Sequence, residues 1–305
     1  VLAYILRRLL QSIVVILGVT FVTFALMYLS GDPVAVLAGD QASRSEIEVL
    51  RRELGFDRPW LVQYLAFLQG AVQGDLGTSL RYRQPVLPLI LERVPATATL
   101  AAAAMIIAVG LALPLGVTAA VMRGKWADTA AILLALAGQS LPGFWLGIML
   151  IYIFGVKLRL VPISGMGTLA HLILPAVTLS AYSLARNSRL IRSTMLDALN
   201  QDYVRTARAK GLHPAVVIRR HALRNSLLSF TTIVGLELGF LLGGAVITEM
   251  VFAWPGLGRL TVQAIYGKDV YLVQGAVMLM AIVFVMVNLV VDLAYAVLDP
   301  RVQYR

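Results

Sequence analysis

Glu237 stands midway through residues 225–248, a run that holds no other Asp, Glu, Lys or Arg. An ionisable group inside an apolar run is costly in hydrocarbon, so it is expected to face a cavity or a partner. Three readings follow: a pathway residue that meets a substrate amine or cation, a structural contact across a subunit interface, or a protonated carboxyl. Gln139 and Ser140 precede Pro142 and Gly143 in another apolar run. That order predicts a kink, whose freed backbone groups either line a pathway or close an ordinary packed bend. Asn288 and Asp292, four residues apart, share a helix face and read as an anchor near a membrane surface. His171, His213 and His221 lack metal-ligand spacing, so no metal site is expected. The chain has no Cys, no H-E-x-x-H and no G-x-x-x-x-G-K-[ST] loop. Thiol chemistry is thereby excluded, an intramembrane hydrolase lacks support, and any energy from nucleotide must arrive from a partner. Glu237 and Asp292 are expected at different depths, which argues against paired-carboxylate catalysis within a membrane.

The elements that must hold these residues are set by composition. Of the 305 residues, 59% are apolar and only 14% charged, with a mean hydropathy of +0.82. A soluble domain carries about a quarter charged residues, so much of this surface is expected to face lipid. Disorder is excluded by the same numbers. Residues 9–31, 94–122, 129–156, 160–185 and 270–291 lack charge altogether, and 225–248 carries Glu237 alone. Each is long enough for a helix across the hydrocarbon, which takes roughly 20 apolar residues. The fold class expected is an all-α membrane protein with six transmembrane helices. The first run is too long for a secretory leader, and residues 27–31 offer no small-residue cleavage site, so it is expected to remain as a span.

Six spans put both termini on one side. Placing that side inside collects Arg7, Arg8, Arg123, Lys125, the basic residues from Arg186 to Arg224, Arg301 and Arg305, more than the other side holds. Both termini are therefore expected in the cytoplasm. The net charge of +10 follows mostly from this bias, and nucleic-acid binding is not needed to explain it.

Two connections are long. In the outer one, Ser43 and Glu46 have capping-box spacing ahead of Ile47, Leu50 and Leu54, and Gly55 is the expected stop. Pro59 begins a second short helix, Gly74 to Ser79 reads as a turn cluster, and Pro85 to Leu91 as an amphipathic lead into the second span. The inner connection, 186–224, is basic and reads as two short helices joined at Gly211. Such a loop either rests on anionic headgroups or docks into another protein.

Tyr203-Val204-Arg205-Thr206-Ala207-Arg208-Ala209-Lys210-Gly211-Leu212, followed by His221-Ala222-Leu223-Arg224-Asn225, resembles the cytoplasmic EAA loop of permease subunits of binding-protein-dependent ABC importers. The variant is that of the dipeptide/oligopeptide/nickel branch. On the general pattern E-A-A-x3-G-x9-I-x-L-P, Ala207, Gly211 and Leu223 match. Arg205 stands at the Glu, Thr206 at the first Ala, His221 at the Ile and Arg224 at the Pro. Gly31-Asp32-Pro33, Leu54-Gly55-Phe56-Asp57-Arg58-Pro59, Gly74-Asp75-Leu76-Gly77-Thr78-Ser79, Leu242-Gly243-Gly244, Trp254-Pro255-Gly256-Leu257-Gly258 and Leu298-Asp299-Pro300-Arg301 are similar to the same branch, in the same order.

The resemblance implies a type I importer permease in the cell membrane. It divides the chain into a first span (1–31), an extracytoplasmic region with short helices (32–93) and a five-helix core (94–305) holding the coupling loop 186–224. The partners implied are a second permease, two ATPase subunits that bind ATP and Mg2+, and an extracytoplasmic substrate-binding protein. This chain itself would carry no cofactor and no catalytic residue. Arg205, Thr206, Ala207, Gly211, His221, Leu223 and Arg224 would couple it to the ATPases, with Ala207 allowing close approach of a partner surface. Glu237, Gln139, Ser140, Gly243 and Gly244 would line the pathway or the subunit interface. Trp254, Pro255, Gly256, Leu257 and Arg259 would form an outer gate or meet the binding protein. The cargo implied is a di- or oligopeptide; nickel, glutathione or oligosaccharide is the alternative within the class, and a stand-alone secondary transporter the alternative outside it.

Overall fold

The computed structural model describes residues 2–29, 31–38 and 42–298. Arg301, Arg305 and the Asp299-Pro300-Arg301 motif lie outside the described residues, as do the side chain of Asp292 and the surroundings of Gly244. The helices are α1 (Leu2–Leu29), α2 (Pro33–Ala38), α3 (Arg44–Glu53), α4 (Trp60–Val72), α5 (Val86–Leu91), α6 (Val94–Val121) and α7 (Trp126–Ser140). They continue with α8 (Gly143–Leu150), α9 (Leu169–Leu199), α10 (Asp202–Ala209), α11 (Pro214–Val216), α12 (Leu223–Val251), α13 (Leu257–Tyr266) and α14 (Val270–Leu298). Two π-helical stretches, Ile151–Lys157 and Val217–Ala222, prolong α8 and α11. Among the described residues the only β-type pairing is an isolated bridge between Thr78 and Pro85.

Four stretches, Leu10–Leu29, Val86–Val121, Leu169–Leu199 and Val270–Val291, are long and apolar enough to cross a membrane. A fifth is broken: α7 and the helix from Gly143 to Lys157 together qualify but meet at 106°. Pro142 supplies the break, because its missing N–H and its ring cannot continue the ladder from α7. The expected run 225–248 lies inside α12, which is 29 residues long. Leu10, Val14 and Leu26 on α1 and Leu133 and Leu134 on α7 are exposed large apolar side chains. A chain that turns such residues outward on long helices is built for lipid.

The chain forms two compact units. The first draws on 1–97 and 255–290. Its core gathers Phe24, Met27, Val34, Phe56, Tyr64, Phe67, Val86, Ile90, Leu260 and Leu272, so the segment between α1 and α6 folds as a packed body. Ser43 caps α3: its Oγ accepts from the Glu46 amide while its own amide donates to Glu46 Oε2 at 2.8 Å. The Ser43 amide, together with the Ser43 hydroxyl that donates to the same Oε2 at 2.8 Å, holds the Glu46 carboxyl below its usual range. Asp269, fully buried, accepts from the Ser79 hydroxyl and from the Arg81 and Leu272 amides, the latter two at 3.2 Å. It thereby pins the 79–85 turn to the start of α14.

The second unit draws on 98–254 and 291–298. The apolar run 160–185 is not one helix, because Pro162, Gly165 and Gly167 keep 158–168 irregular. Helix α9 starts only after Thr168, whose amide donates to His171 Nδ1 at 3.1 Å. It then runs through Arg186, where the uncharged run stops, as far as Leu199. In α12 the close-approach glycine is Gly235, where an added Cβ would lie 2.5 Å from Val291 Cγ1, whereas one on Gly243 would meet nothing within 4 Å.

Candidate functional site

A polar cluster occupies the middle of the second unit. Glu237 is the central residue of α12 and is 2% exposed. Its Oε2 accepts from Asn187 Nδ2 on α9 at 2.6 Å, and its Oε1 lies 3.8 Å from Arg186 Nη1. Ser183, one turn earlier on α9, is buried as well. Glu237 Oε1, Asn187 Oδ1 and Ser183 Oγ are buried without a hydrogen-bond partner. A carboxylate held this far from water is tolerable because Asn187 and Arg186 offset its charge.

Two further arginines follow at three-residue intervals along α9, and each reaches α7. Arg189 Nη1 donates to Gln139 Oε1 at 2.9 Å. Arg192 grips Asp128 with both prongs, Nε to Oδ1 at 2.6 Å and Nη2 to Oδ2 at 2.9 Å. Asp128 also accepts from the Gly124 amide. Gln139 and the exposed Ser140 lie at the broken end of α7. The structure therefore brings Glu237, through Arg186, and Gln139, through Arg189, onto one helix.

The basic loop has its own small core. Val204 and Ala207 on α10 pack against Val217 and Leu199. Ala207 is 5% exposed, so its small side chain serves packing within the loop and is not presented to a partner. The exposed residues of the loop include Arg205, Thr206, Arg208, Lys210, Gly211, Arg219, Arg220 and Arg224, along with Asp202, Leu212 and Val216. Gly211 has φ +74°, the left-handed turn that lets the chain reverse after α10. His213 Nδ1 accepts from the Ala215 amide at 3.3 Å and so caps α11, with Pro214 in the first turn. His221 and Leu223 are half-buried where the π-helical stretch enters α12, and Leu223 packs on a core of Ile191, Met195 and Phe230. Among the described residues no group of three His, Cys, Asp or Glu could hold a metal.

Comparison with known proteins supplies the identity of this arrangement. Residues 112–304 match the family described as binding-protein-dependent transport system inner membrane component, and residues 1–101 match its membrane-component N-terminal family. The chain belongs to that family. It is 42% identical to the dipeptide transport system permease protein DppB of Escherichia coli (strain K12), across 100% of this chain and 99% of that one. It is 40% identical to the glutathione transport system permease protein GsiC of Escherichia coli O6:H1, across 99% of both. Among solved structures, an inward-facing MetNI methionine ABC transporter chain aligns with a TM-score of 0.59 at 19% identity, over 69% of this chain and 96% of that one. The last is a likeness of fold. The chain is thus a permease component of the inner membrane, with several membrane-spanning helices.

Within this inner membrane component, the residues expected at an outer gate are differently placed. Trp254 is 2% exposed and Leu257 5%, and Gly256 is buried, while Pro255 and Arg259 are half-buried. Trp254 and Leu257 are core residues of their respective units. Their apolar bulk explains this, since burial of a Trp or Leu side chain gains more than an exposed contact. Asn187, Arg186 and Asp128 are the residues that sequence reasoning missed. The signal for them was three arginines at i, i+3 and i+6 in a helix whose first half is apolar, a pattern that calls for acceptors on neighbouring helices.

Proposed function

We propose that this chain is a membrane-spanning permease subunit of an ATP-driven importer and forms part of the pathway for di- or oligopeptides by alternating access. The observation that carries the reading is the end-to-end identity of 42% with a dipeptide permease. In this reading α1, α6, α7–α8, α9, α12 and α14 are the six spans, and both termini lie in the cytoplasm. The segment from α2 to α5 lies outside the membrane on the opposite face. Its packed core and the Ser79–Asp269 tie support a rigid body that caps the pathway.

The basic loop from α10 to the start of α12 is the coupling element. Its compact core and the turn at Gly211 give a stiff unit, and its exposed arginines and lysine offer charge to a partner. That partner is a pair of ATPase subunits, which bind ATP and Mg2+ and pass their closure to α9 and α12, the helices that enter and leave the loop. A homologous permease completes the pathway, and an extracytoplasmic binding protein delivers and largely selects the cargo. Gly243, where an added Cβ would meet nothing within 4 Å among the described residues, suits contact with the second permease. Glu237, Gln139 and Ser140 belong to the pathway or that interface. A cargo such as glutathione remains the second reading, favoured by the 40% identity to a glutathione permease.

Mild-detergent extraction of the tagged chain from its native membrane, with mass analysis of what stays bound, tests this. The expected result is a second permease and at least one P-loop ATPase. Recovery of the chain alone, under conditions that keep other membrane complexes whole, overturns the reading in favour of a stand-alone transporter. Proteoliposomes carrying the recovered complex and its binding protein then decide cargo, by uptake of labelled dialanine against labelled glutathione.

A further inference from the structure

Glu237 sits at the centre of a 29-residue helix, about 43 Å long against a hydrocarbon core of about 30 Å. Its hydrogen bond to Asn187 fixes Arg186, the next residue, at the same level. Arg186 is therefore a midplane arginine, if α12 spans as proposed above. Its side chain is nevertheless 46% exposed, while that of Glu237 is 2% exposed. A guanidinium at this depth cannot face lipid tails without a large penalty. It must look onto water or onto a polar partner.

The contact with Glu237 does not use up the guanidinium. At 3.8 Å it is an ion pair beyond hydrogen-bond length, and Glu237 Oε1 is left without a hydrogen bond. Arg186 keeps its donors for something else, in a planar fork that matches a carboxylate. Arg189 follows one turn along the same face, its guanidinium bound to the neutral Gln139. Arg186, Arg189 and Glu237 together leave one net positive charge, and Glu237 is shut away from anything travelling past. What the cluster presents is cationic.

We propose that Arg186 is a receiving site for the carboxylate of cargo crossing the midplane, with Glu237 as its buried counter-ion and Arg189 as the next contact along α9. The inference rests on the peptide-importer reading, since a free peptide carries a terminal carboxylate. It assigns the polar centre to an anionic group in place of an amine. A loose ion pair suits this role, because a passing anion must be held briefly and then released.

The test is uptake of labelled dialanine by proteoliposomes containing the whole importer and its binding protein, with ATP hydrolysis measured on the same vesicles. Arg186→Gln should lower uptake roughly tenfold or more, the loss expected for a charge-assisted hydrogen bond. Binding-protein-stimulated hydrolysis should stay within about twofold, and Arg186→Lys should recover much of the uptake because the charge is kept. Unchanged uptake in Arg186→Gln overturns the proposal alone. So does loss of hydrolysis and of the second permease together with uptake, which would make Arg186 a subunit contact. Failure of the unaltered importer to take up dialanine overturns the peptide reading, and this inference with it.

Discussion

Arg192 and Asp128 meet through two parallel hydrogen bonds of 2.6 and 2.9 Å, which tie the second half of α9 to the first turn of α7. Asp128 is 4% exposed, and the Gly124 amide also donates to it. The pair closes the connection between α6 and α7 while leaving the outward face of each helix apolar.

Removing one member strands the other. Asp128→Ala should cost about 1–3 kcal/mol, the range for losing charge-assisted hydrogen bonds when the stranded Arg192 side chain is 25% exposed. The double variant Asp128→Ala with Arg192→Met should recover a good part of that loss. Thermal unfolding in detergent, followed by the fluorescence of the four tryptophans, compares the three proteins. A single variant as stable as the parent would show that solvent reaches the pair.

The turn at Gly211 supplies a prediction about coupling. At φ +74° a side chain with a Cβ costs about 1–2 kcal/mol, and a β-branched one more. Space is not the obstacle, because an added Cβ there meets nothing within 4 Å. Gly211→Val should therefore insert and fold but tilt α10 relative to the stretch from α11 onward. ATP hydrolysis by the assembled importer should persist while uptake falls several-fold, and normal uptake would remove the loop from the coupling path.

How far the sequence reached can be judged at α9 and at Trp254. Uncharged runs located the long helices well, because a span is defined by what it lacks. The same criterion cut α9 short at Arg186, since the acceptors that let three arginines enter the bundle are Glu237, Gln139 and Asp128, each about fifty or more residues away in sequence. Glu237 was conspicuous as a lone charge; Asn187, its hydrogen-bond partner, was not. Trp254 was expected at an outer gate or against the binding protein from the motif it opens, and in the fold it is buried. A local motif reports backbone shape and says little about which side of the chain is covered.

The capping box of α3 makes a pH prediction. Because the Glu46 carboxyl is held below 4.5 by the Ser43 amide and hydroxyl, its contribution to the helix is complete above the unfolded value. It is lost as pH falls through the lower folded value. Amide exchange at Ser43, corrected for intrinsic rate, should therefore quicken as pH drops below the ordinary Glu range in the native protein. Glu46→Gln should show no such step, and a step of equal size in that variant would place the titrating group elsewhere.

Asp269 makes the last prediction, because one carboxylate serves two elements. It accepts from the Leu272 amide, which caps α14, and from Ser79 and the Arg81 amide, which hold the 79–85 turn. Ser79→Ala removes one of the three bonds, at about 1 kcal/mol, whereas Asp269→Ala leaves the buried Ser79 hydroxyl and Leu272 amide and the part-buried Arg81 amide without this acceptor, at about 1–3 kcal/mol for each that water cannot reach. Limited trypsin digestion reads this directly, since Arg81 and Arg83 sit in the turn and Arg83 takes a positive φ. Cleavage there should quicken modestly in Ser79→Ala and strongly in Asp269→Ala, with cleavage in the α10 loop unchanged. If both loops became labile together, Asp269 would be supporting the whole fold. Selective release of the turn would show that the segment before α6 is a rigid cap by virtue of this one anchor, and it would give a means of loosening that cap while the coupling loop stays intact.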